Sequence, residues 1–271
     1  MSTEADYYEN PDFWVDAMFD AQRPRFAAVL DLVPADARSL LDVGCGNGAF
    51  LRYISETGRT FDRLHGTDRS VTALARLEAE KTQASIDDLP FAPRSFDIAT
   101  CLEVIEHLPI GIYEKGLENI CRVADKYVLI GVPFEEDIEA DLVRCPACTG
   151  KFNPDYHLRS YSEPVLNALL KPHGFEPAAK LLTGPMARYR FVTDWMARRR
   201  RAQHSGNPFS TPIPCPMCNY LLPAAPSVPA APSPAAAPAE ARSGGIKGAI
   251  KNLLRDGTSY GGIAMLYRRT G

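Results

Sequence analysis

Between positions 38 and 133 the apolar residues come in short runs, separated by stretches in which they recur every three or four residues. The short runs predict buried strands at 39–43, 62–67, 82–86, 96–101 and 126–132. The longer spacing predicts helices over 48–57, 70–78 and 112–123. Strand and helix in alternation predict an α/β fold with a doubly wound parallel sheet and right-handed crossovers. A ligand then belongs at the carboxyl ends of the strands, where Gly44, Asp68 and Leu102 fall. The pattern continues less regularly, with a helix at 162–171, a strand at 175–183 and a helix at 186–202. Ile246, Ile250, Leu253 and Leu254 suit a short amphipathic helix, and Gly262 to Tyr267 reads as one more strand. Before the first strand, Tyr7, Tyr8, Phe13 and Trp14 lead into a helix through Phe26, Val29 and Leu30.

The turn after the first strand carries the strongest chemical signal. Leu40-Leu41-Asp42-Val43-Gly44-Cys45-Gly46-Asn47-Gly48 is an apolar strand running into three alternate glycines. Glycine lets a backbone take positive φ and lie close against a ligand. The helix start that follows offers unpaired N–H groups and a positive dipole end, which suits a carboxylate or phosphate. The lysine-bearing phosphate loop is absent, and the third glycine comes one residue too early for the dinucleotide pattern.

The run LDVGCGNG resembles the first motif of the class I methyltransferases that use S-adenosylmethionine. Three further segments follow in the family's order. Phe61 to Thr67 leads to Asp68 and Arg69, and an acid at the tip of the second strand can accept from both ribose hydroxyls. Ala84 to Phe91 resembles the adenine-contacting loop, and Ser95 to Leu108 resembles the fourth strand and its turn. The resemblance covers about residues 38–133. It implies a seven-stranded, mostly parallel sheet of the class I methyltransferase type, with 262–267 as an antiparallel seventh strand between its neighbours. It implies cofactor contacts from Asp42, Gly44, Cys45, Gly46, Gly48, Asp68, Arg69, Ser85, Ile86 and Leu102. Many relatives carry aspartate where Ser85 stands, so the adenine contact falls to Ser85, to Asp87 or to the Ile86 backbone. In similar enzymes a segment like 1–36 covers the cofactor as a lid; packing on the sheet edge is the other reading.

The expected organisation is a methyltransferase domain of residues 37–185 and 259–271, with a knuckle insertion at about 134–160. A second insertion spans 186–258. It contains the basic run Arg198 to Arg201, another cysteine pair and a Pro/Ala/Ser tether at 223–241.

Of seven cysteines, Cys45, Cys101 and Cys121 fall at core or loop positions and read as small hydrophobes. The other four form Cys145-Pro146-Ala147-Cys148 and Cys215-Pro216-Met217-Cys218. Paired C-x-x-C loops in an intracellular protein suggest a metal, and four thiolates close a tetrahedral structural zinc site. The two pairs would then staple the insertion after strand five to that before strand seven. Cys145, Cys148 and His157 with one more ligand form an alternative set, and an iron–sulfur cluster has the same cysteine count.

Transfer to a hydroxyl needs a base near the methyl group. His107 follows strand four in Glu103-Val104-Ile105-Glu106-His107, and His157 lies in the aromatic, basic run Phe152 to Tyr161. Glu103 and Glu106 could contact substrate, or simply decorate a solvated helix start. The four consecutive arginines either face water or hold an anionic acceptor.

Composition narrows the setting. The 271 residues are 45% hydrophobic and 23% charged, as in a globular protein. A net charge of -3 argues against a general polyanion binder, nucleic acid included. No apolar run follows a basic start, which argues against a signal peptide, and no apolar run reaches the length of a membrane span, so a cytoplasmic protein is expected. The expected activity is S-adenosylmethionine-dependent O-methylation of a small-molecule or saccharide acceptor, in glycan or secondary-metabolite biosynthesis. The alternatives are a tRNA or protein methyltransferase, and a non-catalytic scaffold in the cofactor fold.

Overall fold

The computed structural model describes residues 8–11, 14, 16–139, 142–189, 207–208, 212–224 and 255–271. These fall into two compact units, one within 2–138, 156–184 and 260–271 and the other within 139–155 and 185–259.

The larger unit opens with helix α1 (Asp16–Leu32), whose Phe19, Phe26, Val29 and Leu30 are buried. Then come β1 (Ser39–Val43), α2 (Ala49–Thr57), β2 (Arg63–Asp68), the single turn α3 (Val71–Leu74) and β3 (Glu80–Gln83). The chain continues through β4 (Phe96–Leu102), α4 (Ile112–Val123) and β5 (Ala124–Pro133). After α5 (Glu163–Leu170) come two long strands, β8 (Phe175–Tyr189) and β11 (Arg255–Arg269). The seven-stranded sheet has the order β3-β2-β1-β4-β5-β11-β8. β1 to β5 pair in parallel, and β11 runs antiparallel to β5, with Ile263 opposite Val132 and Leu266 opposite Leu129. This is the class I methyltransferase sheet, with the expected antiparallel strand set between β5 and β8.

The apolar runs are strands because both faces of the sheet are covered. Leu41, Ala99, Cys101, Val128 and Ile130 pack on the side of α4 and α5. Leu40, Ile98, Leu129 and Leu266 pack on the side of α1 and α2. Helix α2 buries Phe50, Leu51 and Ile54 and ends at Gly58, whose φ of 75° makes a left-handed cap. Helix α4 buries Tyr113, Leu117, Ile120 and Cys121, and Glu114 accepts the Gly111 N–H at 2.8 Å across its first turn.

Several boundaries differ from the sequence reading. The third strand lies at 80–83 in place of 82–86, because it pairs with the end of β2. The helix expected over 70–78 lasts only from Val71 to Leu74. Residues 186–189 belong to β8, so the helix expected at 186–202 does not begin there; extension beside β11 outweighs the local pattern. The remainder of that helix, Arg198 to Arg201, the tether from residue 225 onward and the helix at 246–254 lie outside the described residues.

In the smaller unit each cysteine pair sits at the tip of a two-stranded antiparallel hairpin. β6 (Val143–Arg144) pairs with β7 (Lys151–Phe152), and β9 (Ile213–Pro214) pairs with β10 (Leu221–Leu222). The hairpins share one plan at a 70-residue offset. The first cysteine N–H bonds the carbonyl five residues on, Cys145 to Gly150 at 2.8 Å and Cys215 to Tyr220 at 2.9 Å. Thr149 and Asn219 occupy equivalent positions, each with a φ of 62°. Val143 faces Phe152 and Ile213 faces Leu222 across the strands, and all four are buried.

Candidate functional site

The ends of β1, β2 and β4 open onto a cleft lined by Gly44, Asp68, Arg69, Ser85, Ile86 and Val104 among others. Gly44, Gly46 and Gly48 all have positive φ, at 72°, 54° and 77°. A side chain at any of them has no room. A Cβ on Gly44 would stand 2.5 Å from Val104, one on Gly46 2.6 Å from Trp14, and one on Gly48 2.2 Å from Leu77. The loop is therefore packed from three sides, with its backbone against the cleft.

Asp68 joins this loop to the second strand. Its carboxylate accepts the N–H of Gly46 and of Ser70, both at 2.8 Å. Burial pushes the Asp68 carboxyl up, while the Ser70 and Gly46 N–H groups hold it down. Asp42 lies deeper, beneath the loop, and accepts a hydrogen bond from Thr100 Oγ1 at 2.7 Å. Burial raises the Asp42 carboxyl to about 7, against the Thr100 bond, with the negative charge of Asp68 adding to the rise.

Of the expected cofactor residues, Gly44, Asp68, Arg69, Ser85 and Ile86 line the cleft. Cys45 is buried, with Sγ near the Gly46 carbonyl at 3.6 Å, and burial raises its thiol well above the ordinary range. Gly46 and Gly48 shape the turn, and Leu102 packs into the core on the side of α1 and α2. Ser85 Oγ donates to the Asp87 carboxylate, so the two side chains considered for the adenine act as a bonded pair.

Part of the amino-terminal segment reaches the same cleft: Tyr8 and Trp14 line it. Trp14 Nε1 and Ser70 Oγ both donate to the Tyr8 carbonyl, at 2.8 and 3.0 Å. Glu9 accepts the N–H groups of Val71 and Thr72 at the start of α3.

One of the two candidate histidines, His107, lines the cleft, and the other, His157, packs against it. Their ring centroids are 4.7 Å apart, near edge-to-face. They meet because residues 158–161 are bonded to the turn after β4. The Leu158 N–H donates to the Glu106 carbonyl at 2.8 Å, Arg159 donates to the Leu108 carbonyl, and the Tyr161 hydroxyl donates to the Ile105 carbonyl at 3.1 Å. Burial drives His107 down to about 3, and the neighbouring His157 adds to the fall. His157 Nδ1 lies 2.5 Å from Glu136 Oε2.

For Glu106 the structure removes one of the two alternatives, the solvated helix start: its side chain is 0% exposed. Neither carboxylate oxygen has a hydrogen-bond partner among the described residues, and the same holds for His107 Nδ1. Burial raises its carboxyl well above the usual range, and the nearby Glu103 adds to the rise. The Glu136–His157 pair, 21 residues apart in sequence, was not anticipated and has no local signal. A second depression, with Arg25, Thr183 and Gly262 on its walls, shares Glu103 with the cleft. Glu103 takes a φ of 56° and pairs with Arg25 at 2.7 Å.

The four cysteines of the smaller unit converge, with their sulfurs all within 4.8 Å of one another. Sγ of Cys145 lies 3.6 Å from that of Cys218, and Sγ of Cys148 lies 3.7 Å from that of Cys215. A disulfide needs about 2.05 Å. A tetrahedral zinc with Zn–S of about 2.3 Å needs sulfurs about 3.8 Å apart, so this donor set fits the ion. The alternative set with His157 has no such convergence; the histidine clusters instead with Glu106 and His107.

A model of the methyltransferase domain family matches residues 41–127. A ubiquinone biosynthesis O-methyltransferase of Paracidovorax citrulli is 30% identical over 89 residues, which are 29% of this chain and 36% of that protein. An uncharacterized protein of Methanocaldococcus jannaschii is 36% identical over 101 residues, 36% of this chain and 41% of the other. The match thus spans little more than a third of the length of such relatives. In structure, a S-adenosylmethionine-dependent methyltransferase from Archaeoglobus fulgidus aligns with a TM-score of 0.54 at 12% identity, over 93% of this chain and 94% of that one. A chain from the complex of a methyltransferase with the Trm112 methyltransferase activator of Haloferax volcanii gives 0.55 at 13% identity over both full lengths. No helix among the described residues is long and apolar enough to cross a membrane.

Proposed function

We propose that this chain, whose residues 41–127 belong to the methyltransferase domain family, binds S-adenosylmethionine in the cleft above β1, β2 and β4 and methylates an oxygen of a small-molecule or saccharide acceptor. The observation that carries the reading is the loop of Gly44, Gly46 and Gly48, closed to any side chain and bonded to Asp68. A scaffold has no need of such a cradle.

When bound, the cofactor supplies an electrophilic methyl group on a sulfonium sulfur. The chain's residues do the rest. Asp68 receives the ribose hydroxyls, exchanging its bond from Gly46 for theirs. Ser85, Asp87 and the Ile86 backbone meet the adenine, with Leu89 and Ile112 as apolar walls. Tyr8 and Trp14 exclude water from the same side. The acceptor approaches through the depression at Arg25 and Glu103 and meets the methyl near His107 and His157. His107 holds a proton too weakly to serve as base at neutral pH. His157, set by Glu136, is the side chain suited to deprotonating the acceptor.

O-methylation draws support from the similarity to ubiquinone biosynthesis O-methyltransferases over part of their length. The saccharide class draws on the knuckle-bearing enzymes that the sequence resembles. Methylation of tRNA or protein is the second reading, with the cysteine unit as docking surface; the net charge of -3 weighs against RNA.

Calorimetric titration with S-adenosylmethionine and its demethylated product tests the cofactor, and labelled methyl transfer to panels of sugars and phenols tests the acceptor. Micromolar binding of both ligands with label on a hydroxyl is the expected result. A folded protein that binds neither would return it to the scaffold reading.

A further inference from the structure

We propose that Glu106, His107 and His157 hold a divalent metal ion at the acceptor end of the cleft, a site distinct from the four cysteines. One carboxylate oxygen of Glu106 and one ring nitrogen from each histidine lie within 4.8 Å of one another. That places three donors around a common point.

Glu106 supplies the independent observation. Its side chain is 0% exposed, yet both carboxylate oxygens lack a hydrogen-bond partner among the described residues. A buried carboxylate without partners costs several kcal/mol, and proteins rarely keep one unless a cation answers it. Arg25 is the nearby cation and its charge favours the Glu106 carboxylate, but it donates no hydrogen bond to it: Nη1 pairs with Glu103 at 2.7 Å, and the buried Nε has no partner among the described residues. His107 Nδ1, in the same pocket, is likewise without a partner. His157 has the arrangement typical of a metal-bound imidazole, with Nδ1 fixed by the Glu136 carboxylate at 2.5 Å, which directs Nε2 as the ligand atom. Glu136 then serves as an outer carboxylate.

Two imidazoles with one carboxylate suit Zn2+, Fe2+, Mn2+ or Co2+ better than Mg2+ or Ca2+. Three protein ligands leave positions open, and His107 borders the cleft, so the open side faces the acceptor. Resting on the methyltransferase reading, the ion's role is to acidify the acceptor hydroxyl. The O–H bond breaks and the proton passes to water. The oxygen lone pair forms the new C–O bond, and the C–S bonding pair returns to sulfur, leaving a neutral thioether. With the ion bound, His157 is a ligand in place of the base named above, and the ion drives proton loss.

The test uses the full chain with its cysteines preloaded with zinc and no cofactor present. Titration with Co2+, followed by calorimetry and visible absorption, should show one further equivalent with the weak bands of a nitrogen/oxygen site and no thiolate band. Glu106→Gln, nearly isosteric, and His157→Ala should each weaken this binding at least tenfold, while the protein stays folded and zinc content and S-adenosylmethionine affinity stay within twofold of wild type. No further equivalent in the wild type, or full retention in both variants, overturns the site. Methyl transfer that survives complete removal of this ion overturns its role and makes His157 the base. Failure of the methyltransferase reading would appear separately, as loss of cofactor binding with the Co2+ titration unchanged.

Discussion

Around the central sheet, Leu40, Leu41, Ile98, Leu129 and Ile130 are completely withdrawn from water, and two clusters of side chains cover both faces. Around the four cysteines the hairpin strands bury only Val143, Phe152, Ile213 and Leu222, one cross-strand pair each. At about 1.5–3 kcal/mol per buried side chain, four residues cannot offset the entropy of ordering two ten-residue hairpins. The sheet stands on its own apolar core, whereas the hairpins have little core of their own and four converged thiols suited to a metal ion. The same residue type has different surroundings in the two places: Cys101 and Cys121 pack in the apolar core, while Cys145 and Cys215 converge with Cys148 and Cys218 into a set that could hold a metal ion.

The largest test of this contrast removes a donor. Cys145→Ser and Cys215→Ser should each abolish the thiolate-held metal and make the amides of 143–152 and 213–222 exchange rapidly, while β1, β4 and β5 stay protected. Hydrogen exchange with metal analysis reads both, and metal retained in either variant would break the shared site.

On the sheet side, Asp42 predicts a pH effect of a few kcal/mol. Its carboxyl is raised in the fold from 3.8 to about 7, so the native state keeps a proton that the unfolded chain releases. The contribution of Asp42 to stability should therefore be fully present on the acid side and fall as pH rises between about 4 and about 7, by up to about 1.4 kcal/mol per pH unit. Asp42→Asn should flatten that slope in urea titrations; a slope unchanged by the substitution would exclude Asp42 as its source.

Gly48 and Gly58 sharpen the point about packing. Both have positive φ, 77° and 75°, but a Cβ on Gly48 meets Leu77 at 2.2 Å whereas one on Gly58 meets nothing within 4 Å. Gly58→Ala should cost about 1 kcal/mol from strain alone. Gly48→Ala should cost about 1–3 kcal/mol more, because core residues must shift. Equal losses would mean that the loop is not packed as described.

The smallest effect is on binding. Asp68→Ala should weaken S-adenosylmethionine by a little over tenfold, about 1.4 kcal/mol, with the cysteine metal untouched. Calorimetry giving wild-type affinity would remove Asp68 from the cofactor site.

How much of this was legible differs between the regions for the same physical reasons. The sheet could be read because doubly covered strands are continuous apolar runs and the glycine turn has a local cause. The cysteine spacing could be read, but not the hairpins or their repeated plan, since a two-residue strand leaves no periodicity. The helix expected from residue 186 is a strand because pairing with β11, 70 residues away in sequence, decides it. The sequence leaves Glu106 open between substrate contact and solvation because nothing local announces that 158–161 bond to its turn, and the Glu136–His157 pair exists only in three dimensions.

β11 lies between β5 and β8, so β8 joins the sheet only through a strand that comes much later in the chain. The interval from Tyr189 to Arg255 takes roughly 3–13 s to synthesise at ordinary ribosomal rates. During that time β5 presents an unpaired edge of Val128, Leu129, Ile130 and Val132, and β8 has no neighbour. The open edge of a nascent chain therefore lies at the middle of the final sheet, not at its rim.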